Sequence, residues 1–288
     1  MPMNKTITET ALQLQESYAK DREPFATRAK RYPERPGKAP EIASLERILF
    51  PLYWNAEELT VDSEALVAQL HEFAKVLQHG IEAESLNEAT ALATAKSLLS
   101  SLPLIREQLK KDAEAAFAGD PAAGDHVQII RSYPGFAAVL VQRFAHLLYT
   151  ERITSYAREL TEIAHSATGI DIHPGARIGS NFFIDHGTGV VIGETAQIGS
   201  YVRLYQGVTL GALHFMKGDG GVLRKGYKRH PTIGDSVVVG AGAKILGPVT
   251  IASNVSIGAN AWIEEDIPPN TSVFIAEHPK LLRKEKLG

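Results

Sequence analysis

The sequence predicts an α+β chain, an all-α N-terminal half followed by a parallel β-helix, and three observations predict it. Up to about residue 165, apolar residues recur at spacings of three and four and glycine is scarce, as in amphipathic helices. From Gly169 large aliphatics recur every six residues, a period that fits neither a helix nor a plain alternating strand. The change between the two patterns falls at one place, so each half has its own architecture. The organisation expected is an extended arm over residues 1–40, a helical domain over 41–168, a β-helix over 169–276 and a tail over 277–288.

Residues 16–40 are charged and carry Pro24, Pro33, Pro36 and Pro40. Such a composition cannot bury enough apolar surface to order itself alone, hence the arm. Helical spacing then runs through Glu41 to Trp54, Val61 to His79 and Ser101 to Phe117. It continues from Tyr133 to His165, where Phe136, Leu140, Phe144, Leu147 and Leu148 share one face.

In the second half the aliphatics fall at Ile172, Ile178 and Ile184. After a slip of two residues they fall at Ile192, Ile198, Leu204 and Leu210, and then at Ile233, Val239, Ile245, Ile251, Ile257 and Ile263. A second, smaller column stands two residues earlier, as at Ala176, Val190, Val208 and Ala243. A short strand in each repeat with a tight turn after it explains both columns, because the aliphatic points inward and small residues permit the turn. Three strands close one coil, and stacked coils are stable only together.

Composition narrows the function. The 288 residues carry a net charge of −3, with 30 basic and 33 acidic residues well mixed, so there is no broad footprint for nucleic acid or an anionic membrane. The absence of cysteine excludes disulfides, thiolate metal sites and a cysteine nucleophile, and fits a cytoplasmic setting. Neither an export signal nor a window of 18 uninterrupted apolar residues is present.

Function is expected where the repeat breaks, since loops leaving a rigid scaffold can reach a ligand. One break is the slip at Ile184-Asp185-His186-Gly187-Thr188-Gly189-Val190; the other is the loop from Ala212 to Lys228. Asp171 precedes His186 by 15 residues, close to one coil of 18, so the two can meet on one face. A carboxylate beside an imidazole makes a general base able to deprotonate an alcohol. The plain alternative is that His186 caps a turn and Asp171 ends a strand. Arg229-His230-Pro231 closes the second loop, where a guanidinium can grip a carboxylate or simply face solvent.

These residues, together with Asp171-Ile172-His173-Pro174, the Gly193-Glu194-Thr195 block, Gly207-Val208-Thr209-Leu210-Gly211 and Gly240-Ala241-Gly242-Ala243-Lys244, resemble the serine O-acetyltransferases over most of the chain. The resemblance implies a left-handed β-helix of hexapeptide repeats and transfer of an acetyl group from acetyl-CoA to L-serine, the first step of cysteine biosynthesis. It implies that His186 is the base, oriented by Asp171, and that attack on the thioester is direct. It further implies that Asp120 and Asp185 hold the serine ammonium and that Arg229 and His230 hold its carboxylate. Asp120 lies in Gly119-Asp120-Pro121-Ala122, 51 residues before Asp171, close to the family's spacing. Acetyl-CoA would run beside Gly211, Ala241 and Ala259, and no metal is needed.

The resemblance also implies trimers with sites in the clefts between subunits, pairing of trimers into a hexamer, and feedback inhibition by L-cysteine. Two departures stand out. The loop from 212 to 228 is long, and its Leu213, His214, Phe215 and Met216 bear on the choice of acceptor. The tail ends in Lys286-Leu287-Gly288 without a terminal isoleucine, which predicts a weak or absent complex with O-acetylserine sulfhydrylase. Rival readings are another hydroxyl acceptor, a trimeric carbonic anhydrase using zinc ligands among His173, His186, His214 and His230, and a non-catalytic scaffold. The zinc reading leaves Asp120 and Arg229 without a role.

Overall fold

The structure, a computed structural model, describes residues 3–20, 40–54, 62–82, 84 and 88–276. Its helices are α1 (Met3–Lys20), α2 (Pro40–Leu49), α3 (Pro51–Trp54), α4 (Ser63–Glu82), α5 (Glu88–Gly119), α6 (His126–Ser132), α7 (Pro134–Thr150) and α8 (Thr154–Thr168). The extended arm expected over residues 1–40 is corrected at its start, because Met3–Lys20 is a helix. Ile7, Ala11 and Leu14 bury one face of α1 against the helical core. Thr6, Thr10 and Ser17 share that face and make the stripe only half apolar. Ser17 is held by polar partners, donating to Glu107 at 2.6 Å and accepting from Arg106 at 2.8 Å. Residues 21–39 and the tail 277–288, including the expectation drawn from its last residues, lie outside the described residues.

Two residues after α8 the chain enters a left-handed parallel β-helix. Its first face stacks β1 (Asp171–Ile172), β4 (Val191–Ile192), β7 (Thr209–Gly211), β10 (Lys244–Leu246) and β13 (Trp262–Ile263). The second stacks β2 (Arg177–Ile178), β5 (Gln197–Ile198), β8 (Thr232–Ile233) and β11 (Thr250–Ile251). The third stacks β3 (Phe183–Ile184), β6 (Arg203–Leu204), β9 (Val238–Val239), β12 (Ser256–Ile257) and β14 (Ser272–Val273). Register places aliphatic on aliphatic: Ile172 on Ile192, Leu210, Ile245 and Ile263 in the first face, for instance. Apart from the partly buried Ile178, every member of the column read from the sequence is at most 5 % exposed. Each such side chain contributes about 1.5–3 kcal/mol of burial.

Both interruptions leave the register intact. The slip lies at the corner between the third and first faces, and the long loop at the corner between the first and second. The helices attach to the first coil. Arg143 of α7 forms a forked ion pair with Asp112 of α5, at 2.6 and 2.9 Å, and also donates to the carbonyls of Ile178 and Gly179. Asp112 accepts the Phe182 N–H at 2.9 Å, and Gln142 and His146 of α7 bond to the carbonyls of Ala176 and Pro174. This buried network fixes α5 and its C-terminal residue neighbours over the third face.

Candidate active site

The first corner is built around His186. Backbone φ is +58° at His186 and +87° at Gly187, so the turn runs through the left-handed region, which glycine tolerates and which leaves the imidazole outside the coil. Its side chain is 71 % exposed, and its Nε2 lies 3.8 Å from Asp185 Oδ1. Asp120 comes to the same corner from the helices. Helix α5 stops at Gly119 because Pro121 cannot continue it, and Asp120 Oδ1 then accepts the Ala122 N–H at 2.8 Å. Tyr133, which precedes Pro134 at the start of α7, donates its hydroxyl to Asp120 Oδ2 at 2.5 Å. The Tyr133 and Ala122 hydrogen bonds hold the Asp120 carboxyl below its usual range, with His186 and Arg203 nearby adding to the effect. Burial, and then the charge on Asp120, push the Tyr133 phenol up to about 12, so it stays a donor at neutral pH.

The second corner is built around Arg229 and His230. Arg229 is paired with Glu194 at 2.5 Å, and Glu194 also accepts the Tyr149 hydroxyl at 2.7 Å. Burial works against the charged form of Glu194, but these two donors outweigh it and hold the carboxyl low. Burial, and then Glu194, push the Tyr149 phenol up to about 12. His230 is buried, and burial together with Arg229 lowers its pKa to about 4. Beside the pair is a cavity of about 330 Å³ lined by Tyr149, Arg177, Glu194, Thr195, Tyr227 and Lys228, among others.

The structure thus gathers Asp120, Asp185 and His186 at one corner and Arg229 and His230 at another, with the first face between them. In this structure His186 is not bonded to Asp171. Asp171 Oδ1 accepts from Arg158 of α8 at 3.0 Å, and no hydrogen bond or ion pair joins it to His186. A permanent guanidinium is a stronger partner for a carboxylate than a solvent-exposed imidazole. Of the small residues, Ala241 and Ala259 stack in successive turns above the His186 corner, with the Asn260 N–H donating to the Ala241 carbonyl, whereas Gly211 ends β7 on the side of the second corner. His173, His186, His214 and His230 are not gathered within the chain; among the described residues the one cluster of potential ligands is Glu162, His165 and Asp171.

The comparisons with known proteins decide between the enzyme classes. Residues 230–265 match the family model for bacterial transferase hexapeptide repeats. The chain is similar to a serine acetyltransferase of Synechococcus elongatus, described as plasmid, at 39 % identity over 82 % of this chain and 79 % of that one. It is also similar to the crystal structure of serine acetyltransferase isoform 3 of Entamoeba histolytica in complex with cysteine, at 46 % identity and a TM-score of 0.88, covering 98 % of this chain and 96 % of that one. The chain belongs to the serine acetyltransferase family. A second structure from that organism, serine acetyltransferase 1 with L-cysteine, is 43 % identical with a TM-score of 0.89, over 95 % of this chain and 99 % of that one. As a serine acetyltransferase family member the chain is an acyltransferase, and the zinc enzyme and the inert scaffold fall away as readings.

Within this serine acetyltransferase fold, three residues around the two corners carried no expectation of their own: Tyr133, Tyr149 and Glu194. Glu194 is the one with a local signal, a carboxylate in a turn whose neighbours are small, next to a loop that returns with an arginine. Tyr133 precedes α7 and Tyr149 lies near its end, and both reach the corners only through tertiary packing.

Proposed function

We propose that the protein transfers the acetyl group of acetyl-CoA to the hydroxyl of L-serine. One observation carries the reading: the carboxylates of Asp120 and Asp185 and the guanidinium of Arg229 offer opposite charges at separate corners, as recognition of a zwitterionic amino acid requires. Asp120 and Asp185 hold the ammonium, and Arg229 and His230 hold the carboxylate. The exposed imidazole of His186 takes the serine hydroxyl proton as the oxygen attacks the thioester carbonyl. The C–S bond breaks, and the proton passes on to the departing thiolate. Turning the His186 side chain toward Asp171, which begins β1 at the same edge of the first face, would complete the general-base pair; Arg158 competes for that carboxylate. The acyl donor lies along the small residues Ala241 and Ala259 above His186, with Gly211 contributed from the other side.

Because the first face separates the corners, a site containing both is closed by a second copy, its His186 corner meeting the Arg229 corner of the first. A trimer supplies three such clefts. L-cysteine, found in the Entamoeba histolytica complexes, has the same charged groups as serine and is proposed as an inhibitor competing for them.

Thiol release from acetyl-CoA tests the acceptor; a preference for L-serine over L-homoserine and sugars is expected, and none would overturn the reading. Co-expression of His186→Ala with Arg229→Ala chains tests the shared cleft. Each variant alone is expected to be nearly inactive, and random assembly should restore about a quarter of wild-type activity. Activity no greater than that of the parents would place the whole site within one chain.

A further inference from the structure

We infer that Thr195 is a positioning residue that fixes His230 as a neutral donor, with its proton on Nε2. The inference rests on the reading of the second corner as the carboxylate-binding half of the site, and it follows from counting donors and acceptors. Thr195 Oγ1 accepts two backbone N–H groups, from Arg229 at 3.0 Å and from His230 at 3.1 Å. With both lone pairs used, its own hydrogen is directed to the remaining neighbour, His230 Nδ1, at 2.9 Å. The Thr195 N–H also points at Nδ1, at 3.0 Å. Nδ1 therefore faces two donors and is an acceptor, which leaves Nε2 to carry the ring proton.

The surroundings keep the ring in that state. Arg229, Lys228, Glu194 and His173 are the charged and titratable groups that act on it, and the two cations together with burial oppose a second proton more than Glu194 favours it. Lys228 is tied to the Thr195 carbonyl at 2.7 Å, so the same residue also orders the cation next to the ring. The imidazole lies flat over Gly193, where a β-carbon would fall 2.1 Å from Nε2, so any other residue there would displace the ring. Among the described residues no group accepts a hydrogen bond from Nε2. A neutral donor beside the Arg229 guanidinium suits a carboxylate: it adds a directional hydrogen bond without placing a second buried positive charge against the first, and it does not titrate in the physiological range.

The test combines kinetics with a spectroscopic reading of the ring. The full-length protein is labelled with 15N-histidine, and the His230 resonances are identified by their loss in His230→Gln. The expected spectrum shows an unprotonated Nδ1 and a protonated Nε2, unchanged from pH 5.5 to 8. Thr195→Val should allow the other tautomer or a titration within that range, and should raise KM for L-serine about fivefold with kcat changed less than about twofold, the effect of one lost hydrogen bond. Thr195→Ser should restore both. A wild-type ring protonated on Nδ1, or a Thr195→Val protein with unaltered spectrum and KM, overturns the inference. Should Thr195→Val fail to assemble, the wild-type spectrum and the Thr195→Ser variant decide. The expected spectrum in a protein that does not acetylate serine would uphold the role of Thr195 and defeat the serine reading.

Discussion

The two corners of the solenoid differ in how completely their functional groups are engaged. At the His186 corner the imidazole is exposed and lies 3.8 Å from the Asp185 carboxylate, while Asp120 is anchored from the helical half through Tyr133 and the Ala122 amide. At the Arg229 corner the functional groups are already engaged: Arg229 with Glu194, Glu194 with Tyr149, His230 with Thr195 and Lys228 with a carbonyl. A base must change its protonation state in each turnover, so it suits an open, weakly tethered position. A recognition group must keep one state, and a closed network holds it there. On the proposed reading the open corner carries the proton transfer, together with the ammonium contacts of Asp120 and Asp185, and the closed corner holds the substrate carboxylate.

Substitutions should divide along the same line, the largest effect falling at the open corner. His186→Ala should lower kcat about 10²–10⁴-fold with little change in KM for serine, the range typical of losing a general base. Steady-state thiol release checks this, and a KM effect without a kcat effect would make His186 a binding group instead. At the closed corner Glu194→Gln should raise KM for serine and cost about 1 kcal/mol of stability, read in urea titrations. The folded-state pKa of Glu194 is lowered, so its ionised form stabilises the fold above the unfolded value near 4.5, and that contribution is lost as pH falls through the folded value. The stability gap between wild type and Glu194→Gln should therefore be flat from pH 7 to about 4.5 and shrink below it; a gap that widens on acidification would contradict the pairing. The smallest effect is expected from Tyr133→Phe, which frees Asp120 from one donor and should raise KM for serine about threefold to fivefold at unchanged kcat.

How much of this was legible in the sequence depends on whether the determining interaction is local. The aliphatic column was readable at each position from Ile172 to Ile263 because one rule, inward every sixth residue, acts within a strand and its turn. His186 stood out for the converse reason, that it breaks the rule. Helix α1 was not readable because Thr6, Thr10 and Ser17 dilute its buried stripe, and the burial of Ser17 is made tolerable by Arg106 and Glu107, some 90 residues away. The short α6 is defined by an N-cap, Asp125 accepting from Gln128 at 2.7 Å, and has too few turns to show a period. The Arg158 partner of Asp171 was not legible, since spacing along a solenoid says nothing of a cation arriving from α8. Tyr133 and Tyr149 carry no local mark, and only the docking of α7 brings them to the corners.

The docking of α7 and α5 on the first coil has a further consequence. Each strand of a parallel solenoid offers hydrogen-bonding groups to a neighbour on either side, and the coil that starts the stack has no predecessor. Here Gln142 and Arg143 occupy the carbonyls of Ala176 and Ile178, whose counterparts Ala196 and Ile198 in the next coil accept from the coil before, and Arg143 and His146 also bond to the neighbouring Gly179 and Pro174 carbonyls. Side chains that cannot be extended thus close an edge that another solenoid could have continued. The helical half is, in this respect, a plug against end-to-end polymerisation, and a solenoid released from it would present a ready template for growth into fibres.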